Sequence, residues 1–568
     1  MNDSKNLILA VVLSALVLLG WTWAANRYFP TANPPSTKVV NGKQRPVPQP
    51  SAQPAGVPTP AKFQSVAAAL ASGPRVRIQT PSLSGSINLK GAQIDDLVLV
   101  NQKQTIAKDS PPVRLLSPLG TPGAYIAQFG WTAQGGQAPA LDALWTADSQ
   151  LLTPQHPVTL TTQAADGSRY QIRIAVDAAY LFKIEQSVTN TTSQPISVRT
   201  IGLVSRATKS PDPDTWTNQV GPIGVFGDKA NYDVNWEDLD EGKTETFSNV
   251  PGWFGFTDKY WLTALAPHGP MTAEFRRGHG SGYQADYALA PATLAPGQTH
   301  STTAQFFAGA KEKQLLNRYE QAGIRQFSYA IDWGWFHWFM IPIFDLLLFL
   351  FHSLGNFGVA IICLTLIVRA IMYPVAQKQF HSMAAMRKLQ PKMKAIQERF
   401  KEDKQRQQQE ILKLYQAEKV NPAAGCLPIL LQIPVFYALY KVLLVSVEMR
   451  HQPFVGWIRD LSAPDPLTPF NLFGYAPWTL PAFLVIGILP ILVGATQWLS
   501  MKLNPQPMDP AQAQVFAIMP WFLVFVMAPF AAGLQLYWMT NNILTIAQQW
   551  WLYRKFGLHL SDTHPVHT

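Results

Sequence analysis

The chain has 568 residues, of which 14% are charged and 11% aromatic, with two cysteines and a formal net charge of +10. Ordinary globular proteins carry roughly 25% charged residues, and the mean hydropathy of +0.02 is too low for a chain that is membrane-embedded throughout. These values exclude a soluble enzyme of ordinary composition and a disulfide-built scaffold. They indicate a polar part joined to a very apolar part.

The N-terminus is apolar from Leu7 to Ala25, close to the ~20 residues that a helix needs to cross a bilayer core. Trp21 and Trp23 near its end are typical of a membrane interface. The run is longer than the about 7–15 apolar residues usual in a cleaved signal peptide. We therefore predict an uncleaved signal-anchor span within residues 1–29, with a cytoplasmic N-terminus; a cleaved signal peptide is the alternative.

Two polar segments follow. Residues 30–62 contain nine prolines and no apolar periodicity, which predicts an extended, partly disordered linker. Residues 63–326 contain runs of alternating apolar and polar residues, and Asp166-Gly167 is a good hairpin turn signal. Because no helical patterns separate these runs, the sequence disfavours parallel βαβ units and predicts a large antiparallel β-sandwich.

From residue 327 the sequence is apolar, interrupted by one basic block. Residues 331–375 are too long for one span and fit either two spans or an interfacial helix followed by one span. Residues 376–420 contain eleven lysines and arginines, which the positive-inside rule places in the cytoplasm. With the N-terminus also inside and the signal anchor crossing once, only one further span can precede this block. We predict an interfacial amphipathic helix over residues 327–356 on the outer surface and a second span over 357–375.

The remaining apolar runs complete a prediction of six spans with both termini inside. The boundaries are a cytoplasmic helical hairpin at 376–424, span 3 at 425–447, a periplasmic loop at 448–477, span 4 at 478–500, a cytoplasmic loop at 501–514, spans 5 and 6 as a hairpin at 515–552, and a cytoplasmic tail at 553–568.

Arg369 is the most informative residue of the apolar half, because it lies deep in the second predicted span. An arginine at a helix centre costs ~2.5–3.5 kcal/mol on insertion scales, and such charges are functional candidates by default. The alternative is a side chain that snorkels to water from ~8 Å inside a helix end at Pro374. Other polar residues of the spans are Thr365, Gln432, Gln535, Asn541, Asn542 and Thr545. Each alone is typical of helix–helix hydrogen bonding, but together they predict a hydrated inner-leaflet cavity, which a transporter would share.

The basic block has a helical pattern of its own. Leu389, Met393, Ile396 and Phe400 form one stripe, and a weaker stripe follows the polar run 401–409. This predicts an antiparallel helical hairpin. Its methionines either contact variable apolar partners or simply pack the hairpin, and the pattern does not choose between these roles.

Catalytic signatures are lacking. The sequence contains no phosphate-binding loop, zinc-binding HExxH helix or GxSxG nucleophile elbow, so no enzyme activity and no cofactor are predicted. The basic residues are explained by membrane orientation, and no direct nucleic-acid recognition is expected.

Three segments resemble signatures of the YidC/Oxa/Alb membrane protein insertases. They are residues 421–440 (NPAAGCLPILLQIPVFYALY), residues 367–374 (IVRAIMYP) and residues 536–542 (LYWMTNN). The layout of anchor, β domain and five-span core is that of the Gram-negative form of the family. Two features depart from the family: the tail after Lys555 is short and hardly basic, and Trp538 stands where tyrosine is common.

The resemblance implies a polytopic α-helical membrane protein of the inner (plasma) membrane, with six spans, a five-span insertase core and a large periplasmic antiparallel β-supersandwich domain. That domain should be similar in fold to sugar mutarotases, which licenses no sugar chemistry. The implied function is insertion and folding of inner-membrane proteins, alone or with the Sec translocon, without nucleotide hydrolysis. The implied partners are nascent membrane proteins, the Sec translocon, the lipid bilayer and the ribosome, the last through the hairpin at 376–420.

Two sets of site residues follow from the motifs. The expected substrate groove comprises Arg369, Thr365, Gln432, Gln535, Tyr537, Trp538, Asn541 and Asn542. The expected hairpin contacts are Met383, Met386, Arg387, Lys388, Lys392 and Met393. The rival interpretation is a secondary transporter or channel that uses the same polar cavity, although no inverted repeat is apparent. A β-domain receptor with a membrane tether would leave the five core spans without a purpose.

Overall fold

The computed structural model describes residues 37–40, 43–46, 63–134, 137–212, 218–278, 282–334, 336–401, 403–418, 427–476, 481, 484–503 and 510–555. The predicted signal anchor at 1–29 lies outside these residues, as does the tail beyond 555. The chain divides into two compact units, one mainly of residues 49–332 and one mainly of residues 333–444 and 448–568.

Strands dominate the described part of the first half of the chain. In chain order they are β1 Thr37–Val40, β2 Lys43–Pro46, β3 Arg75–Gln79, β4 Leu83–Asn88, β5 Gln93–Lys103, β6 Pro112–Leu116, β7 Tyr125–Gln134, β8 Thr146–Ala147, β9 Leu151–Leu152, β10 Val158–Gln163, β11 Arg169–Val176, β12 Leu181–Thr189, β13 Ile196–Arg206, β14 Gly221–Phe226, β15 Lys229–Asn231, β16 Glu245–Val250, β17 Gly252–Thr257, β18 Trp261–Pro267, β19 Met271–Arg277, β20 Tyr283–Leu289, β21 Ala292–Leu294 and β22 Thr299–Ala310. Three helices accompany them: α1 Val66–Leu70, α2 Trp236–Asp240 and α3 Lys313–Gln321. Within the predicted linker, β1 and β2 pair as a short antiparallel hairpin.

Two large sheets build the first unit. One has nine strands in the order β15-β14-β17-β18-β22-β12-β11-β10-β8. The other has eleven, with β16-β19-β20-β13-β7-β5-β4-β3-β9 as its main path and β6 and β21 paired beside it. The pairs are antiparallel apart from β3 with β9. The predicted antiparallel β domain is therefore confirmed.

The sequence signals for strands correspond to this architecture. Residues of β11 and β12 are alternately buried and more exposed, and the two strands pair with Ile174 opposite Ile184. Gly167, with φ of 89°, forms the turn between β10 and β11, a backbone conformation that glycine adopts without steric cost. Asp166 supports that turn, because its carboxylate accepts the Ser168 N–H at 2.9 Å.

The core of this unit lies between the two sheets. Phe129 of β7 meets Phe306 of β22 edge to face, with ring centroids 6.0 Å apart. The buried Gln186 side chain of β12 donates to the backbone carbonyl of Gly130 in β7 at 2.9 Å. Thr302 of β22 donates to Thr200 of β13 at 3.3 Å. Aromatic packing and hydrogen bonds thus both join the sheets into a sandwich.

The second unit is helical. Its helices are α4 His337–Leu354, α5 Phe357–Arg399, α6 Lys404–Ala417, α7 Leu427–Val445, α8 Ile488–Leu503, α9 Pro510–Met527 and α10 Ala532–Lys555. By length and composition, His337–Leu354 and Phe357–Gln377 could cross a membrane, and Gln432–Val445, Ile488–Leu503 and Phe516–Met527 are shorter apolar helices. The six-span count therefore stays a prediction. Because α4 meets the same criterion as α5, its interfacial placement stays a prediction too.

Helix α5 does not end at Pro374, which is where the snorkelling argument placed its end. It is 43 residues long and contains both Pro374 and Pro391. A proline inside a helix removes one backbone hydrogen bond, but neighbouring residues can keep helical geometry on both sides. The second predicted span and the first arm of the basic hairpin are consequently one continuous helix.

The loop after α7 organises the start of three helices. Asn356, the residue before α5, donates to the Phe454 carbonyl at 3.0 Å, and Leu461 accepts from Gly533 at the start of α10 at 2.9 Å. Asp465 accepts the Leu489 N–H of α8 at 2.8 Å. Since one loop binds residues at the starts of α5, α8 and α10, these three helices start at the same end of the unit.

The same carboxylate lies at the start of α8. The predicted span 4 covers residues 478–500, and within it helix α8 begins at Ile488, with residues 484–487 outside the α-helix. Asp465 accepts from Leu489, and Leu467 accepts from Ile488 at 3.0 Å, so the first-turn donors of α8 are satisfied from the loop. A capping residue more than twenty positions away in sequence gives no local signal.

Candidate functional site

Arg369 lies inside the helical unit, where α10 provides its partners. It is the thirteenth residue of α5, about 18 Å along the helix axis from the first residue. Its Nε donates to the Asn541 side-chain oxygen at 2.8 Å, and its Nη2 donates to the Asn541 backbone carbonyl at 3.2 Å. Nη2 also donates to the Thr545 hydroxyl. Asn541 and Thr545 are four residues apart on α10 and so share one face of that helix.

The charge on Arg369 is not balanced within the described structure. In the described ranges, no carboxylate oxygen lies within 4.0 Å of its guanidinium nitrogens. Three of its five N–H groups are bound by neutral oxygens of α10, and the two on Nη1 bond to none of the described residues. The side chain is half-buried, so it presents a positive charge at an apolar depth.

A second polar contact lies one helical turn nearer the start of α10. The Gln432 side chain of α7 donates to the Tyr537 hydroxyl, and Tyr537 is only 1% exposed. Four residues separate Tyr537 from Asn541, which places both on the same side of α10. The structure thus brings Arg369, Gln432, Tyr537 and Asn541 of the predicted groove set into neighbouring polar contacts.

Other members of that set face elsewhere. Asn542 donates to Thr496 of α8 at 3.2 Å, and Trp538 donates to Gln497 of α8 at 3.3 Å. Neighbouring residues of a helix point about 100° apart, so Asn541 and Asn542 face different helices. Asn542 and Trp538 therefore join α10 to α8.

Gln535 and Thr365 bond to backbone carbonyls. The Gln535 amide donates to the carbonyls of Met527 and Phe530, at 2.8 Å and 2.7 Å, and closes the turn between α9 and α10. The Thr365 hydroxyl donates to the Ile361 carbonyl of its own helix at 2.6 Å and is fully buried.

Thr545 is among the polar residues of the predicted spans, but it is not a member of the predicted groove set. It is a partner of Arg369, and its spacing of four residues from Asn541 is the signal that could have added it. Thr496 and Gln497 were missed. They lie in the fourth predicted span, and polar residues there were a usable signal.

The basic hairpin is described in part. The backbone of residues 376–399 continues α5, whereas the side chains of Met383, Met386, Arg387 and Lys388 lie outside the description. The Lys392 ammonium pairs with Glu418 beyond α6 at 2.6 Å, and 61% of the lysine side chain is exposed. Met393 is only 5% exposed. Its role as a partner contact stays a prediction.

Two family models together cover most of the chain. The model described as the YidC periplasmic domain matches residues 75–346, and the 60 kDa inner membrane protein model matches residues 349–558. The membrane protein insertase YidC of Zymomonas mobilis is 45% identical over 97% of this chain and 95% of its own length. This chain belongs to the YidC membrane protein insertase family. The resemblance seen in the sequence motifs is confirmed.

Further relatives and solved structures are similar. The insertase of Beijerinckia indica is 43% identical over 98% of this chain and 97% of its own. A crystal structure described as an active YidC insertase is 18% identical, covers 84% of this chain and 92% of that chain, and has a TM-score of 0.37. A galactose mutarotase-like protein from Lactobacillus casei is 10% identical over 41% of this chain and 99% of that chain, with a TM-score of 0.28.

Proposed function

We propose that this chain inserts client proteins into the bacterial inner membrane, and that Arg369 receives the part of the client that must cross. Membership of a family whose members are named insertases supports the first statement. The observation that supports the second is the Arg369 guanidinium in the first third of α5, held by neutral acceptors of α10 and lacking a carboxylate partner in the described structure.

The physical problem of insertion explains why such a group is useful. A client with one apolar helix must move a short polar tail across the bilayer, and each unsatisfied polar group in hydrocarbon costs several kcal/mol. A hydrated groove that reaches part of the way shortens this barrier. The positive charge attracts acidic residues of the tail into the groove, and the apolar helix then leaves sideways into lipid.

No nucleotide is needed in this scheme. Burial of apolar side chains is worth roughly 25 cal/mol per Å², so a helix of about 20 apolar residues supplies the driving force when it partitions into the bilayer. The protein acts as an insertase and chaperone and not as an enzyme. It operates alone or beside the Sec translocon.

The proposed orientation puts the β domain in the periplasm and both termini in the cytoplasm. The basic hairpin at 376–420 then faces the cytoplasm, in agreement with its eleven lysines and arginines. This basic hairpin is the proposed contact for the ribosome.

The test is reconstitution of the full-length chain into liposomes without nucleotide, followed by addition of a short single-span client. Protease protection of the client's translocated tail above the level of empty liposomes is the expected result. An inactive control is the same chain heat-denatured before reconstitution. No protection, together with passage of a small solute through the same liposomes, would overturn the proposal in favour of a transporter or channel.

A further inference from the structure

The guanidinium of Arg369 is bound along one edge only. Nε and Nη2, which form that edge, donate to Asn541 and Thr545. The Thr545 hydroxyl in turn donates to the Asn541 carbonyl at 2.7 Å, so the acceptors are themselves linked. The two N–H groups of Nη1, on the other side, bond to none of the residues that the structure describes. The α10 face therefore determines which way the charge points.

The chemical type of these acceptors matters as much as their position. The edge of an arginine formed by two nitrogens matches a carboxylate, which is its usual strong partner. Here that edge is occupied by an amide oxygen, a backbone carbonyl and a hydroxyl. A neutral acceptor orients the guanidinium as an aspartate would, but it does not cancel the charge.

We propose that Asn541 and Thr545 are positioning residues that hold Arg369 with Nη1 directed away from α10 and its charge uncompensated, so that the site prefers client tails that carry a carboxylate. This inference rests on the proposed function of Arg369. It adds a specificity mechanism: Asn541→Asp would neutralise the site without removing the arginine.

The chain offers a matched control one residue away. Asn542 has the same side chain at nearly the same depth, but it donates to Thr496 and to the Val493 carbonyl of α8. Replacing it with aspartate adds the same charge to the same helix without an oxygen next to Arg369. General damage to α10 or to membrane integration should affect N541D and N542D alike.

The experiment measures insertion of two clients by the full-length chain in liposomes. The clients share one apolar helix and differ only in the tail, which carries aspartate and glutamate in one and asparagine and glutamine in the other. The readout is the ratio of acidic-tail to neutral-tail insertion, because a loss of folded protein lowers both amounts and leaves the ratio unchanged.

We expect Asn541→Asp to lower this ratio about tenfold, which corresponds to ~1.4 kcal/mol of lost charge attraction. Asn542→Asp should leave it within about twofold of the wild type. In an Arg369→Ala background, Asn542→Asp measures how much repulsion between the new carboxylate and an acidic tail lowers the ratio. Asn541→Asp in the same background should lower the ratio by no more than that amount. A ratio lowered equally by N541D and N542D would overturn the inference.

Thr545 supplies an independent test if N541D abolishes insertion of both clients. Thr545→Ser keeps the hydroxyl that accepts from Nη2, whereas Thr545→Val keeps the shape and removes it. The ratio should stay at the wild-type value in the serine variant. In the valine variant it should decrease about threefold, which corresponds to ~0.6 kcal/mol. Equal ratios in the two variants would contradict a positioning role.

The role proposed for Arg369 and the positioning role proposed for Asn541 and Thr545 can be refuted separately. If Arg369→Ala leaves the ratio unchanged, the proposed role of the arginine is wrong. If Arg369→Ala lowers the ratio while N541D behaves like N542D and T545V like T545S, the arginine acts as proposed but α10 does not set its selectivity.

Discussion

Asp465 should be the most sensitive residue of the loop that caps the helices. It is only 4% exposed, and its carboxylate accepts from Leu489 N at 2.8 Å, Leu467 N at 3.0 Å and Trp457 Nε1 at 3.1 Å. Asp465→Ala leaves these three donors without their acceptor. A buried unsatisfied donor costs ~1–3 kcal/mol, so three such donors cost ~3–9 kcal/mol if the surrounding structure does not rearrange.

Removing the charge returns part of that cost. Burial raises the pKa of Asp465 despite the hydrogen bonds that lower it, because burying the charged carboxylate costs free energy. The alanine variant does not have this cost. We therefore expect a net loss near the lower limit, about 3 kcal/mol. For a unit of this size that corresponds to a decrease in Tm of ~6–12 °C.

The assay is heating of the detergent-solubilised full-length chain, followed by size-exclusion chromatography of the surviving folded fraction. Asp465→Asn keeps one acceptor oxygen and should lie between wild type and alanine. Asp460→Ala is the control, since in the same loop Asp460 accepts mainly from Ser462 and caps none of the described helices. A Tm for D465A within 2 °C of wild type (about 1 kcal/mol or less), or equal to that of D460A, would refute the capping argument.

Three further outcomes are expected. Arg369→Lys should insert an acidic-tailed client better than Arg369→Ala, because it retains the positive charge. It should insert the client less well than wild type, because an ammonium cannot bind Asn541 and Thr545 at the same time as the guanidinium does. Equal activity of the lysine and alanine variants in the liposome assay would contradict this. Gly358→Ala should lower the Tm by several degrees, since a Cβ there would meet the Phe454 ring at 2.0 Å. Adding Phe454→Ala should restore part of this loss. A double variant whose loss equals the sum of the two single losses would contradict the proposed clash. Desolvation by burial, with Arg450 adding to it, lowers the pKa of His451 to about 4, so the unfolded state binds the proton first as the pH falls. Stability should therefore be lost between about pH 6.5 and pH 4, and His451→Gln should flatten that part of the Tm-against-pH curve; a curve of unchanged slope would speak against it.

Local patterns were sufficient for much of the β domain. Alternating burial in β11 and β12 follows from the two-residue repeat of a strand, and Gly167 lies at the turn because glycine tolerates a positive φ. The pairing of β12 with β22 in the nine-stranded sheet was not predictable, because it joins residues more than a hundred positions apart.

Some features of the candidate site were likewise predictable from the sequence, and others were decided by packing. Arg369 was found from sequence because a single charge in an apolar run is conspicuous, and it is expensive unless it has partners. The sequence also singled out Asn541 and Asn542 but could not separate them. Only packing shows that the first faces α5 and the second faces α8.

The sequence by itself determined the composition of the two halves, the antiparallel strand character of the first, the basic hairpin and the unusual arginine, because each depends on residue types at short spacing. Tertiary structure alone decided that α5 continues through Pro374, that α8 starts at Ile488 under the Asp465 cap, and that Arg369 is bound from one edge by neutral oxygens. The last two features depend on hydrogen bonds between residues up to 176 positions apart, and no local pattern encodes which of several polar side chains will meet once the helices pack.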